Sequence, residues 1–387
     1  MRQQALSVVL ALALASGLLA ALLYGPGQPG GSSRASRAAV PTPPAASAPP
    51  ADEAPPAPGA HHDARLLVLD VANPARVAVV GESEPLPNAI RGLVLDGSRA
   101  YLIDPARGVR TFDVFDPTHP TDAGTWDTGL TMRGLVARRG HVYVADYAVD
   151  PYEYYENRVA VHDDEAWRFD RPVPRNAPLP PDSQKGIGMA IQGDHLYVAA
   201  QVGGLWALDV RDHAQPVLLS AYRAPDSVLG VAVEGRYAYL ATYTKGLRVV
   251  DVADPTAPVE VGAYRTPGVT MDVAVAGRYA YVADHTSGVH VVDLAEPTNP
   301  RQVAVVRPPY YPTNVVVAGG YLYVSDGACG LRIVDVRNPR LATEVGHYPA
   351  LGVATAVAAA GRYAYLAVTR ADAARPCVPP TAAPLDE

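Results

Sequence analysis

The stretch Tyr279-Ala-Tyr-Val-Ala-Asp284, a four-residue turn, and then Val289-His-Val-Val-Asp293 decides the fold. Both halves alternate with a period of two, as strands do. The surrounding residues complete one unit. Asp272–Ala276 reads as a preceding strand and Gly277-Arg278 as a tight turn. Gln302–Val306 reads as a fourth strand after the rigid turn Glu296-Pro-Thr-Asn-Pro300. Four short antiparallel strands in about 42 residues is the plan of a propeller blade.

The unit recurs. A Leu-x-Val-x-Asp segment stands at Leu66–Asp70, Val109–Asp113, Val159–Asp163, Leu205–Asp209, Leu247–Asp251, Val289–Asp293 and Leu331–Asp335. The Asp-to-Asp steps are 43, 50, 46, 42, 42 and 42. The tyrosine-rich segment also occurs seven times, from Ala100–Asp104 to Tyr363–Val368. Self-similarity at a fixed period marks a repeat architecture. Leu247-Arg-Val-Val-Asp251 followed by Asp254-Pro-Thr-Ala-Pro258 resembles the LVIVD-repeat family, over roughly residues 65 to 368. That resemblance implies a propeller of bacterial or archaeal cell surfaces and attaches no chemistry to it. Blade 2 departs from the pattern: Asp164-Glu-Ala166 stands where other units carry Asp-Pro or Asn-Pro.

The repeat's ends are offset. The folded region begins with a third-type strand, Leu66–Asp70, and a fourth, Arg76–Val80. It ends with a first-type strand, Thr355–Ala359, and a second, Tyr363–Val368. Left open, these half-sheets would expose edges that invite aggregation. The expected fold is therefore all-β: a seven-bladed β-propeller of four-stranded antiparallel blades. A composite blade from both chain ends closes the ring over residues 65–368.

Residues outside the repeat concern delivery. Arg2 precedes an apolar and small-residue run from Ala5 to Tyr24, read as a signal peptide or signal anchor over residues 1–24. Residues 25–64 are rich in Pro, Ala and Gly and bury too little apolar surface to fold, so they read as a disordered linker. Residues 369–387 form a C-terminal tail. The expected location is exported: periplasmic, cell-surface or secreted. The membrane enters only through a possible N-terminal anchor. A net charge of −7 without a basic stripe argues against nucleic acid.

The repeated aspartates look catalytic in number, but one active site does not need six copies at equivalent positions. Asp70, Asp113, Asp209, Asp251, Asp293 and Asp335 are expected to accept hydrogen bonds from turn N–H groups. Asp104, Asp146, Asp284 and Asp326 get the same structural reading, with a place on the rim of one face. His61-His62-Asp63 places two lone histidines in a linker, a bland feature, and His162-Asp-Asp-Glu165 is a poor metal site because consecutive residues of a strand point to opposite faces. No catalytic or nucleotide-binding fingerprint occurs, and no cofactor or metal is expected.

Residues that break the repeat are the better functional candidates. In every blade the turns between second and third strands share one face, here the upper face, with the lead-ins to first strands. Arg91, Arg133, Asp272 and Asn314 lie in lead-ins, with Tyr310 and Tyr311 just before the last of these. Tyr152, Tyr154 and Tyr155 lie in blade 2's second-to-third connection, which spans 17 residues from Asp146 to Asp163 against 9 from Asp284 to Asp293. Three functions compete. The first is a module binding a protein, peptide or glycan on the upper face. The second is a structural surface or adhesion component. The third is a hydrolase or lyase with Asp272 and the two arginines in the central funnel.

Cys329 and Cys377 are the only cysteines. Export would place them where disulfides persist. Both lie toward the upper face, one blade apart, and the nine residues from Val368 to Cys377 reach roughly 30 Å. The geometry permits a bridge; two free thiols are the alternative.

Overall fold

Every sheet has four antiparallel strands, and every sheet owes its order to short chain-local hairpins. Six sheets use four consecutive strands each. The fifth in chain order is representative: Thr270–Ala276, Tyr279–Asp284, Gly288–Asp293 and Arg301–Val306. The computed structural model describes residues 63–126, 132–149, 155–163, 166–169, 188–213, 215–370 and 377. All lie in one compact unit, Ala57–Glu387. The proposed signal segment and most of the linker lie outside them.

The remaining sheet joins the two chain ends, in the order Ala78–Glu82, Asp63–Asp70, Tyr363–Arg370, Val353–Ala360. Asp63 pairs with Arg370 and Asp70 with Tyr363, an antiparallel register eight pairs long. The first strand starts at Asp63, inside the stretch read as linker. The fourth begins at Ala78 rather than Arg76, because Pro74–Arg76 forms a 3-10 turn capped by the Asn73 side chain. Proline's fixed φ suits the start of such a turn.

Inner strands pack against one another in sequence around an axis, and the last, Val353–Ala360, packs against Leu93–Asp96 of the first blade. The architecture is an all-β propeller with four-stranded antiparallel blades.

The core sits between blades. Ala280 and Val282 pack with Tyr239, Ala241 and Val249 of the preceding blade. Tyr281 and Ala283, on the opposite face of the same strand, pack with Val315, Leu322 and Val324 of the following one. A second strand is therefore buried on both faces, which explains why small and large apolar residues alternate along it. Each fully buried Val or Leu contributes about 1.5–3 kcal/mol relative to exposure, so blade cohesion is spread over many contacts.

Outside blade 2, the motif aspartates close their blades at the lower face. All six accept an N–H from the residue two positions on, as Asp251 does from Ala253 at 3.0 Å. Five also pair with an arginine: Arg362 with Asp70, Arg211 with Asp209, Arg236 with Asp251, Arg278 with Asp293, and Arg337 with Asp335. These guanidinium bonds hold Asp209, Asp293 and Asp335 at about 2. Four of the arginines also lie over a tyrosine ring, 5.5–5.7 Å from its centroid.

Candidate functional site

The inner strands define the site. One register position, carried through the blades, reads Gly92, Gly134, Gly188, Gly230, Asp272, Asn314 and Ala356. Four glycines stand in succession, and between Gly188 and Gly230 the strands meet backbone to backbone. Gly188 N–H donates to the Leu229 carbonyl at 2.8 Å, and a Cβ on Gly188 would come within 2.6 Å of Gly230 Cα. Where the glycines stop, side chains take over. Asp272 accepts from Val315 N–H at 3.0 Å, Asn314 Nδ2 at 2.7 Å and Val273 N–H at 2.9 Å. Asn314 Oδ1 then accepts from Val357 N–H at 3.1 Å. A relay of side chains thus ties three successive inner strands.

Asp272 is a half-buried carboxylate, and burial pushes it up to about 6 against the three bonds that lower it. Among the described residues its hydrogen-bond partners are backbone amides and an asparagine. Its chemistry here is that of an interblade tie.

The position one residue earlier carries the variety. Register shifts open a bulge between Met132 and Gly134, Val228 and Gly230, Thr270 and Asp272, and Ala354 and Ala356. The extra residues are Arg133, Leu229, Met271 and Thr355. Bulges re-aim side chains, and here Leu229, Met271 and Thr355 line a central channel with Arg91 and Thr313. Its volume is about 350 Å³.

The structure divides the sequence candidates into two groups. Arg91, Asp272 and Asn314 line the channel. Tyr310 and Tyr311 lie on the rim outside it: Tyr311 stacks on His285 with centroids 4.1 Å apart and planes at 8°, and Tyr310 tilts against Tyr311 at 4.7 Å. Pro308, Pro309 and Pro312 restrict this segment. His285 had no sequence signal beyond differing from its equivalents in other blades. Arg133 holds the expected lead-in position on Met132–Arg138, and Tyr155 begins the strand Tyr155–Asp163. Tyr152 and Tyr154 lie outside the described residues. Blade 2's long connection is partly regular: pairing continues past Asp146 to Val149 opposite Tyr155, so the insertion lengthens a hairpin.

The second-strand aspartates correct one expectation. Asp104, Asp284 and Asp326 are fully buried and do not ring the rim. Asp104 accepts from Ala106 N–H and Asn88 Nδ2, and Asp284 from Gly268, Thr286 and Ser287 N–H groups. Asp326 accepts from Tyr310 N–H at 3.2 Å and lies 3.4 Å from Arg332. Burial pushes it up to about 7 despite Arg332. Close by, Cys329 and Cys377 form a disulfide with Cα atoms 4.7 Å apart. Among the described residues no group of three or more His, Cys, Asp or Glu could hold a metal ion.

No curated protein matches this chain. Among solved structures it is similar to the computationally designed Ika8 protein, at 9% identity and TM-score 0.55, over 80% of this chain and 95% of that one. That likeness concerns the fold alone. The LVIVD repeat model matches residues 187–224, 227–266, 267–306 and 311–349. Four matched repeats stand in tandem, each falling on one blade of the same plan, as in LVIVD-repeat β-propellers.

Proposed function

We propose that this chain is an exported seven-bladed propeller acting as an interaction module, with the upper face as its contact surface for a protein, peptide or glycan. One observation carries the reading. The motif aspartates and the second-strand residues are occupied in holding blades together, whereas Arg91 in the channel lining and the Tyr310–Tyr311 pair beside His285 depart from the repeat. Tyr310, Tyr311 and His285 form a stacked aromatic element. Aromatic residues held in one orientation suit recognition, since little side-chain entropy is lost on contact.

The blade count treats the composite sheet as an equal of the other six. Two close approaches support that. A Cβ on Gly346 of blade 6 would lie 1.7 Å from the Pro74 carbonyl oxygen of the composite sheet. One on Gly81 of the composite sheet would lie 2.1 Å from that of Pro117 in blade 1. The same contact joins Gly262 of blade 4 to Pro297 of blade 5, so the composite sheet meets its neighbours as ordinary blades meet.

The reading is tested by placing a photoreactive phenylalanine analogue at position 311, and at Phe115 on the lower face as control. In an envelope extract, position 311 should give an adduct of defined mass that Tyr310→Ala diminishes. Equal adducts from both positions, or none from 311, would overturn the assignment of the face.

A further inference from the structure

The channel wall is chemically sectored, and the repeat does not require it to be. Just before the register that begins at Gly92, the lining carries Arg91, Leu229, Met271, Thr313 and Thr355 in chain order. One basic residue is followed by two apolar ones and then by two hydroxyls. The Arg91 side chain is exposed and has no hydrogen-bond or ion-pair partner among the described residues. Across the axis stands Asp272, already holding three donors.

We propose that the channel is a binding site for a small organic anion with an apolar body, of which a medium-chain carboxylate is the simplest form. The head group pairs with Arg91, and the body lies along Leu229 and Met271. Arg91 gives the site its sign. A guanidinium in a walled cleft whose donors meet no partner among the described residues is matched by a carboxylate, which it can hold through two parallel bonds. Leu229, Met271 and Val357 give it an apolar wall. A ligand buried there removes that surface from water. Asp272 on the opposite wall sets the direction, because an anionic head is disfavoured beside it. The volume of about 350 Å³ falls at the lower end of the range of small-molecule sites, about 300–1,000 Å³, so the ligand is small. This site is distinct from the aromatic rim and does not depend on a macromolecular partner there.

The test uses octanoate, octanol and octylamine as probes of one chain length and three charge states. The full chain is titrated calorimetrically and by NMR with 13C-methyl methionine. Among the chain's 4 methionines, Met189 and Met271 line the channel, and Met271→Leu assigns the second. Octanoate should bind and shift both methyl signals. Arg91→Gln, an exposed change, should leave the melting temperature unaltered and weaken octanoate by about tenfold or more, the loss of one charge-assisted pair. Octanol should bind both proteins alike and more weakly than octanoate. Octanoate binding that Arg91→Gln leaves unchanged would overturn the proposal. So would binding that moves neither methionine, octylamine binding as tight as octanoate, or the absence of octanoate binding at millimolar concentration.

Discussion

Asn314 serves two neighbours at once, donating to Asp272 and accepting from Val357. Asn314→Ala would leave the Val357 N–H unpaired and remove one of the three donors to a half-buried carboxylate. Each orphaned group costs about 1–3 kcal/mol, so the variant should lose about 2–4 kcal/mol by urea denaturation. A loss below about 0.5 kcal/mol would mean that water replaces the relay. The buried acids predict a pH dependence of definite sign. Burial holds Asp272 up to about 6 and Asp326 up to about 7. Between about pH 4 and 7 the folded chain therefore binds protons that the unfolded chain has released, and stability falls as pH rises through that window. His213 opposes this. Burial and the adjacent His141 lower its pKa, so the unfolded chain takes up that proton first, and stability falls as pH drops through about 6.5. The arginine-paired aspartates lose their contribution only as pH falls below about 4. Comparison with Asp326→Asn separates the first effect from the others. The variant's unfolding free energy should fall less steeply between pH 5 and 7 than that of the unaltered chain. Identical slopes would show that Asp326 does not titrate there.

Blades meet in two ways, and the contrast can be measured at Gly188. Alanine there would push a Cβ to within 2.6 Å of Gly230 Cα and 2.8 Å of Val231 N. The neighbours are backbone, so relief requires whole strands to part. The expected loss is about 1–3 kcal/mol by urea denaturation, and an unchanged midpoint would mean that the inner strands have slack. Most of this architecture was legible in the sequence. The alternation in Tyr279–Asp284, the Gly-Arg turns and the regular step between motif aspartates have direct local causes, since a strand's period and a turn's φ are properties of neighbours in the chain. Asp251 and its equivalents were readable as turn acceptors for the same reason. What was not legible depends on contacts between segments distant in the chain. The burial of Asp326 and Asp284 follows from packing against the lead-in to their own blade, where Tyr310 and Gly268 donate their N–H groups, and a strand-end aspartate does not announce that. The relay from Asp272 to Val357 spans three blades. The candidate set was readable as a set, because lead-in residues break the repeat. Its division into channel and rim was not, because that depends on how a bulge turns Met271 inward while Pro312 and the His285 ring hold Tyr311 outside.

At the scale of the molecule, closure and the disulfide act on one boundary. The ring is completed by non-covalent pairing of Asp63–Asp70 with Tyr363–Arg370. Cys377 follows that closing strand by a few residues and is bonded to Cys329 of blade 6, while Gly327 O accepts from Ala354 N–H of the composite sheet at 2.9 Å. Cys329 is 1% exposed and Cys377 is exposed, so a dithiol reductant reaches the pair from the Cys377 side. The bridge spans 48 residues, and constraining an unfolded loop of that size is worth about 4 kcal/mol at most. Two perturbations follow: reduction of the bridge, and deletion of residues 60–82, which removes half of the composite sheet. Deletion alone should broaden the unfolding transition, because an opened ring exposes the edge strand Tyr363–Arg370 and lets blades fray separately. Reduction alone should lower the melting temperature while leaving the transition cooperative, since the closing strands still pair. The two should not add. Once deletion has freed the closing sheet, residues 353–377 no longer unfold with the ring, and constraining them gains little. Reduction should therefore shift the truncated chain much less than the full one. Equal shifts in both chains would show that the bridge stabilises blade 6 by itself and has no part in holding the ring shut.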